Sequence, residues 1–181
     1  KTLEFSSSIF SLEPSMFDPE YEEYLKSIKT ALFFYDWINE AEEESLLEVY
    51  NIRPGEIKAK LDLADWLLYS SEELAKLSKM HGMITEIAKL RIRLKNGSKE
   101  ELLALLRLQG IGRVRARKLY NNKIKGIEDV KDAPLETLSA LIGKAIALSI
   151  KKQVGQNLDE EEIKVPKGKR KGQLSLEKKY D

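Results

Sequence analysis

LLRLQGIGRVRARKLY, Leu105 to Tyr120, places a Gly-Ile-Gly turn between the apolar end of one helix and a second helix carrying Arg113, Arg115, Arg117 and Lys118. Two glycines without Cβ atoms let the backbone turn tightly and come close to a ligand. Successive N–H groups around Gly110, Ile111 and Gly112 can then point at one anion. The positive end of the following helix adds to the same spot, and Ala116 is small enough for two helices to pack closely. Such a unit grips nucleic-acid backbone and reads little sequence. At about 100° per residue, Arg113 and Arg117 share one helix face and Arg115 takes the opposite one. This predicts joint backbone contact by Arg113 and Arg117, with Arg115 pairing with protein; a solvated basic face is the alternative.

Outward from this turn, Leu138 to Ala147 (LSALIGKAIA) reads as a degenerate second copy around Gly143. Helices are predicted over about 98–107, 113–121, 127–132, 134–141 and 144–154, and Asn96-Gly97-Ser98 reads as a linker. Upstream, Asp18-Pro19 supplies an N-cap and a first-turn proline for a helix to about Asn39. That helix is apolar nearly all round and is expected to pack on both sides. A short helix follows Glu42 to Glu44 and ends near Asn51. Pro54 opens another, expected to reach about Ser70, in which Ile57, Leu61, Ala64 and Leu68 form one stripe and Trp66 lies about 180° away. Ser71 is expected to cap the next helix, with a bend at His81-Gly82.

No segment alternates like a strand. The chain therefore reads as all-α: a helical bundle over 1–97, a small hairpin domain over 98–155, and a flexible tail over 156–181. The tail's acidic run, Asp159 to Glu162, and the basic residues from Lys164 to Lys171 cannot bury a core.

Composition narrows the function. At 181 residues and 42% hydrophobic content, the chain can hold one or two domains with their own cores. No stretch approaches the roughly 20 apolar residues of a membrane span, which points to a cytoplasmic protein. Without cysteine, and with His81 as the only histidine, no metal site is expected. The net charge of +1 conceals a polarity: residues 1–55 carry 4 basic and 12 acidic side chains, residues 98–155 carry 12 and 6. The basic half is the one expected to face nucleic acid. No G-x-x-x-x-G-K-[ST] loop occurs, so the chain lacks the residues that bind and split ATP. Its carboxylates fall in solvated runs rather than an apolar pocket pattern. Lys1 in place of a methionine points to a fragment or processed piece.

The pattern filled by Leu105, Leu108, Gly110, Ile111, Gly112 and Ala116 resembles the helix-hairpin-helix motif of DNA repair proteins. Two further strings, KTALFFYDWINE (29–40) and YNIRPGEIKAKLDLADWLLYS (50–70), together with LRIRLKNGSKEELL, widen the likeness to about residues 20–155. They resemble the C-terminal portion of archaeal Hjm-type DNA helicases, superfamily 2 enzymes related to HELQ and to the helicase part of polymerase theta. The resemblance implies that residues 1–97 form a ratchet domain whose long helix lies across single-stranded DNA and stacks an aromatic side chain on a base. Trp66 is the matching residue; on pattern alone it reads as a second packing face. Relatives carry a basic residue about two turns earlier, where this chain has Ala59, so Lys58 or Lys60 would have to substitute. The hairpin domain would act as brake and guide, its Arg-x-Arg matched by Arg115 and Arg117.

The implied parent is an ATP-dependent 3′-to-5′ DNA helicase acting on forks or Holliday junctions in repair and recombination. Its RecA-like motor domains would hold ATP and magnesium, while this part would need no cofactor and bind single-stranded and branched DNA without turnover. Two other readings remain: a non-enzymatic junction-binding scaffold, and the equivalent helical region of a spliceosomal RNA helicase. In the tail, Gln173, Leu176 and Tyr180 occupy the first, fourth and eighth places of a sliding-clamp-binding box, with Lys179 where the seventh aromatic belongs.

Overall fold

Helix α1 (Tyr21–Ile38) turns Phe33 inward, and α2 (Glu43–Tyr50) lays Leu46 and Tyr50 against it. The Phe33 ring lies 5.7 Å from that of Tyr50 and 5.4 Å from that of Phe34. Ile57, from the first turn of α3 (Pro54–Leu77), completes this small core, with Leu32, Trp37 and Leu61 packed around it. The coordinates are a computed structural model that describes residues 12–155, so the tail and its clamp-box residues lie outside the described residues. One expectation changes at the start of α1. Asp18 accepts a hydrogen bond from the Ser15 N–H at 2.9 Å, and α1 starts later, at Tyr21. Within the described residues α1 packs on α2 and α4 through its C-terminal half, while Leu25 and Tyr35 stay exposed.

The largest departure concerns α3, which does not stop at Ser70. The Ser70 and Ser71 hydroxyls donate to the Trp66 and Leu67 carbonyls, at 3.0 and 2.9 Å. Bonding back one turn satisfies each hydroxyl inside the helix, so Ser71 does not cap a new one. The helix ends about two turns later, at Leu77, with Lys79 in the left-handed region (φ 57°). There the Met80 N–H bonds to the Ala75 carbonyl and the Lys79 N–H to that of Lys76, a Schellman closure. Helix α4 (His81–Asn96) then folds back along α3, where Arg91 reaches Asp65 at 2.9 Å and Glu72 at 2.8 Å.

A 3₁₀ turn (Glu100–Leu102) leads into α5 (Leu103–Leu106), and α6 (Arg113–Asn121), α7 (Ile127–Asp132), α8 (Leu135–Ile142) and α9 (Lys144–Gln153) follow. The described residues contain no strand, and the fold is all-α. Twelve buried apolar residues, Leu102 to Ile150, form this second core. The hairpin repeats within it. Ile111, Gly112, Ala116 and Leu119 recur as Ile142, Gly143, Ala147 and Ile150 at one constant offset, with the apolar members buried in both copies. In each copy the alanine N–H bonds to the glycine carbonyl at 2.9 Å.

The Asn96-Gly97-Ser98 segment is a packed joint instead of a loose linker. Gly97 ends α4 at φ 61°, and a Cβ there would stand 2.8 Å from the Trp37 ring. The Trp37 indole donates to the Leu94 carbonyl at 2.7 Å, and Ser98 is fully buried. A large aromatic ring closes over the backbone here, so only a residue without a side chain fits.

Candidate nucleic-acid interface

Helix α6 presents two faces with different fates. On one, Gly112, Arg115 and Lys118, with Arg113 at the edge, line an open groove of about 940 Å³ whose other wall is Ser139, Leu141 and Gly143 of the second hairpin. Gly112 and Gly143 directly precede α6 and α9, so two helix starts meet one groove. Each contributes unsatisfied N–H groups and the positive end of its helix dipole. No atom lies within 4 Å of where a Cβ would stand on either glycine. Arg115 donates to the Gly110 carbonyl at 3.0 Å while staying exposed, and Lys118 is exposed beside it. Gly110 holds the turn at φ 83°. This groove is shaped and charged for a phosphate backbone.

The opposite face of α6 is committed to protein. Arg117 makes a two-pronged contact with Glu40, at 2.8 and 2.6 Å, and reaches Glu101 at 2.7 Å. The guanidinium of Arg113 lies 5.4 Å from the Trp37 ring centroid and donates to the carbonyls of Ala41 and Gly97, at 3.4 and 3.5 Å. Burial pushes the Glu40 carboxyl up. The Arg117 and Lys99 hydrogen bonds with their charges outweigh it, and the group lies below the usual carboxylate range. The hydrogen bond from Arg117 likewise holds Glu101 down.

Joint backbone contact by Arg113 and Arg117 is therefore corrected for Arg117, whose guanidinium is held by Glu40 and Glu101, while Arg113 touches the joint and also lines the groove. The shared face exists, but it meets the first unit across the joint; the exposed cations of α6 on the groove are Arg115 and Lys118, with Arg113 between joint and groove. The Ile111 side chain is buried in the hairpin core and its N–H bonds to the Leu108 carbonyl at 3.2 Å, which takes that N–H out of the set the turn was expected to offer an anion. The pattern underlying the motif is intact: Leu105, Leu108, Ile111 and Ala116 are buried and Gly110 turns the chain.

On the first unit, Trp66 is 62% exposed, on the side of α3 away from Ile57. Leu63 and Leu67 are exposed nearby. Lys58 stands in a loose pair with Asp62, 3.9 Å apart and solvated on both sides, which contributes little. Lys60 is half-buried, its ammonium 3.5 Å from the Thr30 hydroxyl. Sequence reasoning missed Glu40, the acceptor of Arg117, whose separation of 77 residues left no local signal. It also missed exposed Lys144, which follows Gly143 where Arg113 follows Gly112.

An all-α chain with a long helix bearing an exposed tryptophan, joined to paired glycine-turn hairpins, matches known families in two parts. This chain belongs to the family described as archaeal helicase, domain 4, whose family model matches residues 1–97. Residues 102–155 match the SAM-like helix-hairpin-helix tandem. Among individual proteins it is similar to the ATP-dependent DNA helicase Hel308 of Methanocaldococcus jannaschii, 42% identical over 141 residues, which cover 78% of this chain and 12% of that protein. It is likewise similar to the protein of that name from Thermococcus kodakarensis, 39% identical over 94% of this chain and 15% of that one. The Pyrococcus horikoshii protein is 40% identical over 83% and 21%. The chain thus spans about a fifth or less of the curated relatives it matches.

Proposed function

We propose that this chain is the DNA-handling C-terminal portion of an ATP-dependent 3′-to-5′ DNA helicase that works in the cytoplasm on forks or junctions in repair and recombination. The ATP- and magnesium-binding motor lies in other parts of the parent. One observation carries the reading: a member of the archaeal helicase domain 4 family holds an exposed tryptophan on its longest helix and, across a packed joint, a groove where two helix starts meet Arg115 and Lys118. In this scheme Trp66 stacks on a base of the tracking strand, an interaction of roughly 1 to 3 kcal/mol that tolerates any sequence. The groove takes the sugar-phosphate backbone, again without reading bases. Gln173, Leu176 and Tyr180 would offer a sliding clamp a contact.

The test is a salt-titrated affinity comparison among single-stranded, forked and duplex DNA. Trp66→Ala should weaken single-strand binding with the melting temperature unchanged. Arg115→Ala with Lys118→Ala should weaken binding to every sequence and flatten the salt dependence by about 1.4 to 1.8 in slope. An unchanged slope refutes the phosphate role of the groove, and preferential binding of RNA competitors overturns the DNA assignment.

A further inference from the structure

Where α1, the end of α2 and the start of α3 converge lies a second cavity, of about 300 Å³. Its floor is apolar and aromatic, made by Phe33 and Tyr50, which are buried, and Ile52. Its rim carries Lys26, Lys29 and Lys60. Lys26 is shared between Glu22 and Glu23, at 2.9 Å each. Among the described residues, no carboxylate stands within ion-pair distance of Lys29 or Lys60, so their charge is available to a ligand. Glu56, the one acidic lining residue, has an oxygen occupied by the Arg53 N–H at 2.6 Å. A small cavity with an apolar floor, edged by two ammonium groups outside ion-pair distance of any described carboxylate, suits one nucleotide unit, its sugar over the floor and its phosphate between the lysines. The volume sits at the low end for ligand pockets and admits a single unit, not a duplex.

Position identifies the source of that nucleotide. Lys60 precedes Trp66 by six residues, about 9 Å along the axis of α3 and about 120° around it. On the same wheel the exposed Leu63 and Leu67 fall between the two. A continuous surface therefore runs from the tryptophan to the pocket along one helix. We propose that this pocket binds a nucleotide of the same DNA strand that stacks on Trp66, its phosphate held between Lys29 and Lys60. The inference rests on the single-strand reading above, which it extends by a second contact.

Two measurements on the full chain test it. In the first, lysine acetylation of the unaltered protein is followed by mass spectrometry with and without oligothymidine. Lys29 and Lys60 should be protected by the strand, and deoxythymidine monophosphate at equal nucleotide concentration should protect them far less. Equal protection by the monophosphate overturns the strand assignment, because the pocket then serves a free nucleotide; no protection by either overturns the site.

In the second, Lys29→Gln with Lys60→Gln should lower oligothymidine affinity roughly tenfold and reduce the salt slope by about 1.4. If affinity and slope match the unaltered chain while Trp66→Ala still weakens binding, the pocket is discarded and the single-strand reading stands. If neither variant changes binding, both fall together. The footprint needs no substitution, so a variant that folds poorly leaves the question decidable.

Discussion

Between Leu102 and Ile150, twelve buried apolar side chains close on one another, whereas the longer stretch from Tyr21 to Asn96 gathers four into its main core. The same stretch leaves Leu63, Trp66, Leu67, Leu74 and Leu77 of a single helix more than half exposed. The hairpin unit spends its apolar residues on its own stability. The first unit holds much of its apolar surface outward, and α3 keeps its shape through helix hydrogen bonds, the Schellman closure and the Arg91 bridges to α4. A contiguous apolar face of this kind marks a surface built for contact rather than for folding.

The contrast can be broken most forcefully in the hairpin core. Leu138→Ala, at a fully buried position, should lower stability by about 2 to 5 kcal/mol in chemical denaturation; a loss under about 1 kcal/mol would mean that the hairpin core is not the tighter one. Next comes the joint. Gly97→Ala puts a Cβ against the Trp37 ring at a positive φ and should cost about 2 kcal/mol, with a shifted tryptophan emission. An unshifted spectrum and melting curve would show that the ring yields freely.

Removing Arg117 (Arg117→Ala) should cost about 1 to 2 kcal/mol after allowance for its partly exposed side. Its acid dependence has a definite sign. Glu40 and Glu101 titrate below their ordinary value of 4.5 in the folded chain, so their contribution is complete above about that pH and is lost as pH falls through the depressed values. Glu40→Gln should flatten that acid limb in pH-dependent melting, and an unaltered limb would remove Glu40 from the bridge. Smallest of all, Leu77→Ser on the exposed face should change stability by less than about 0.5 kcal/mol; a larger loss in thermal melting would mean that α3 depends on that face after all.

Much of this fold was legible because two kinds of signal are local. The spacing of Leu105, Leu108, Gly110, Ile111 and Ala116 encodes one hairpin, and the wheel of α3 placed Trp66 opposite Ile57. Misreadings arose where one residue type has two local uses. Ser71 can cap a helix or bond back one turn, and only the continuation to Leu77 distinguishes them. The site was legible to the level of faces and no further. Periodicity places Arg113 and Arg117 on one side of α6, but which surface that side meets depends on Glu40 and Trp37, brought in from the other unit by the fold. Gly97 looked like linker because glycine is equally at home in a mobile loop and beneath an aromatic lid.

The lid over Gly97 has a mechanical corollary. With Trp37, Glu40, Arg113 and Arg117 interlocked, the tryptophan on α3 and the groove between the hairpins stand at a set spacing, like the jaws of a caliper. On the proposed reading, a strand too short to span both jaws would engage one at a time, and a longer one would engage both and gain the avidity of linked sites. Affinity against oligonucleotide length should therefore rise in a step, and prying the lid open should blur the step into a slope.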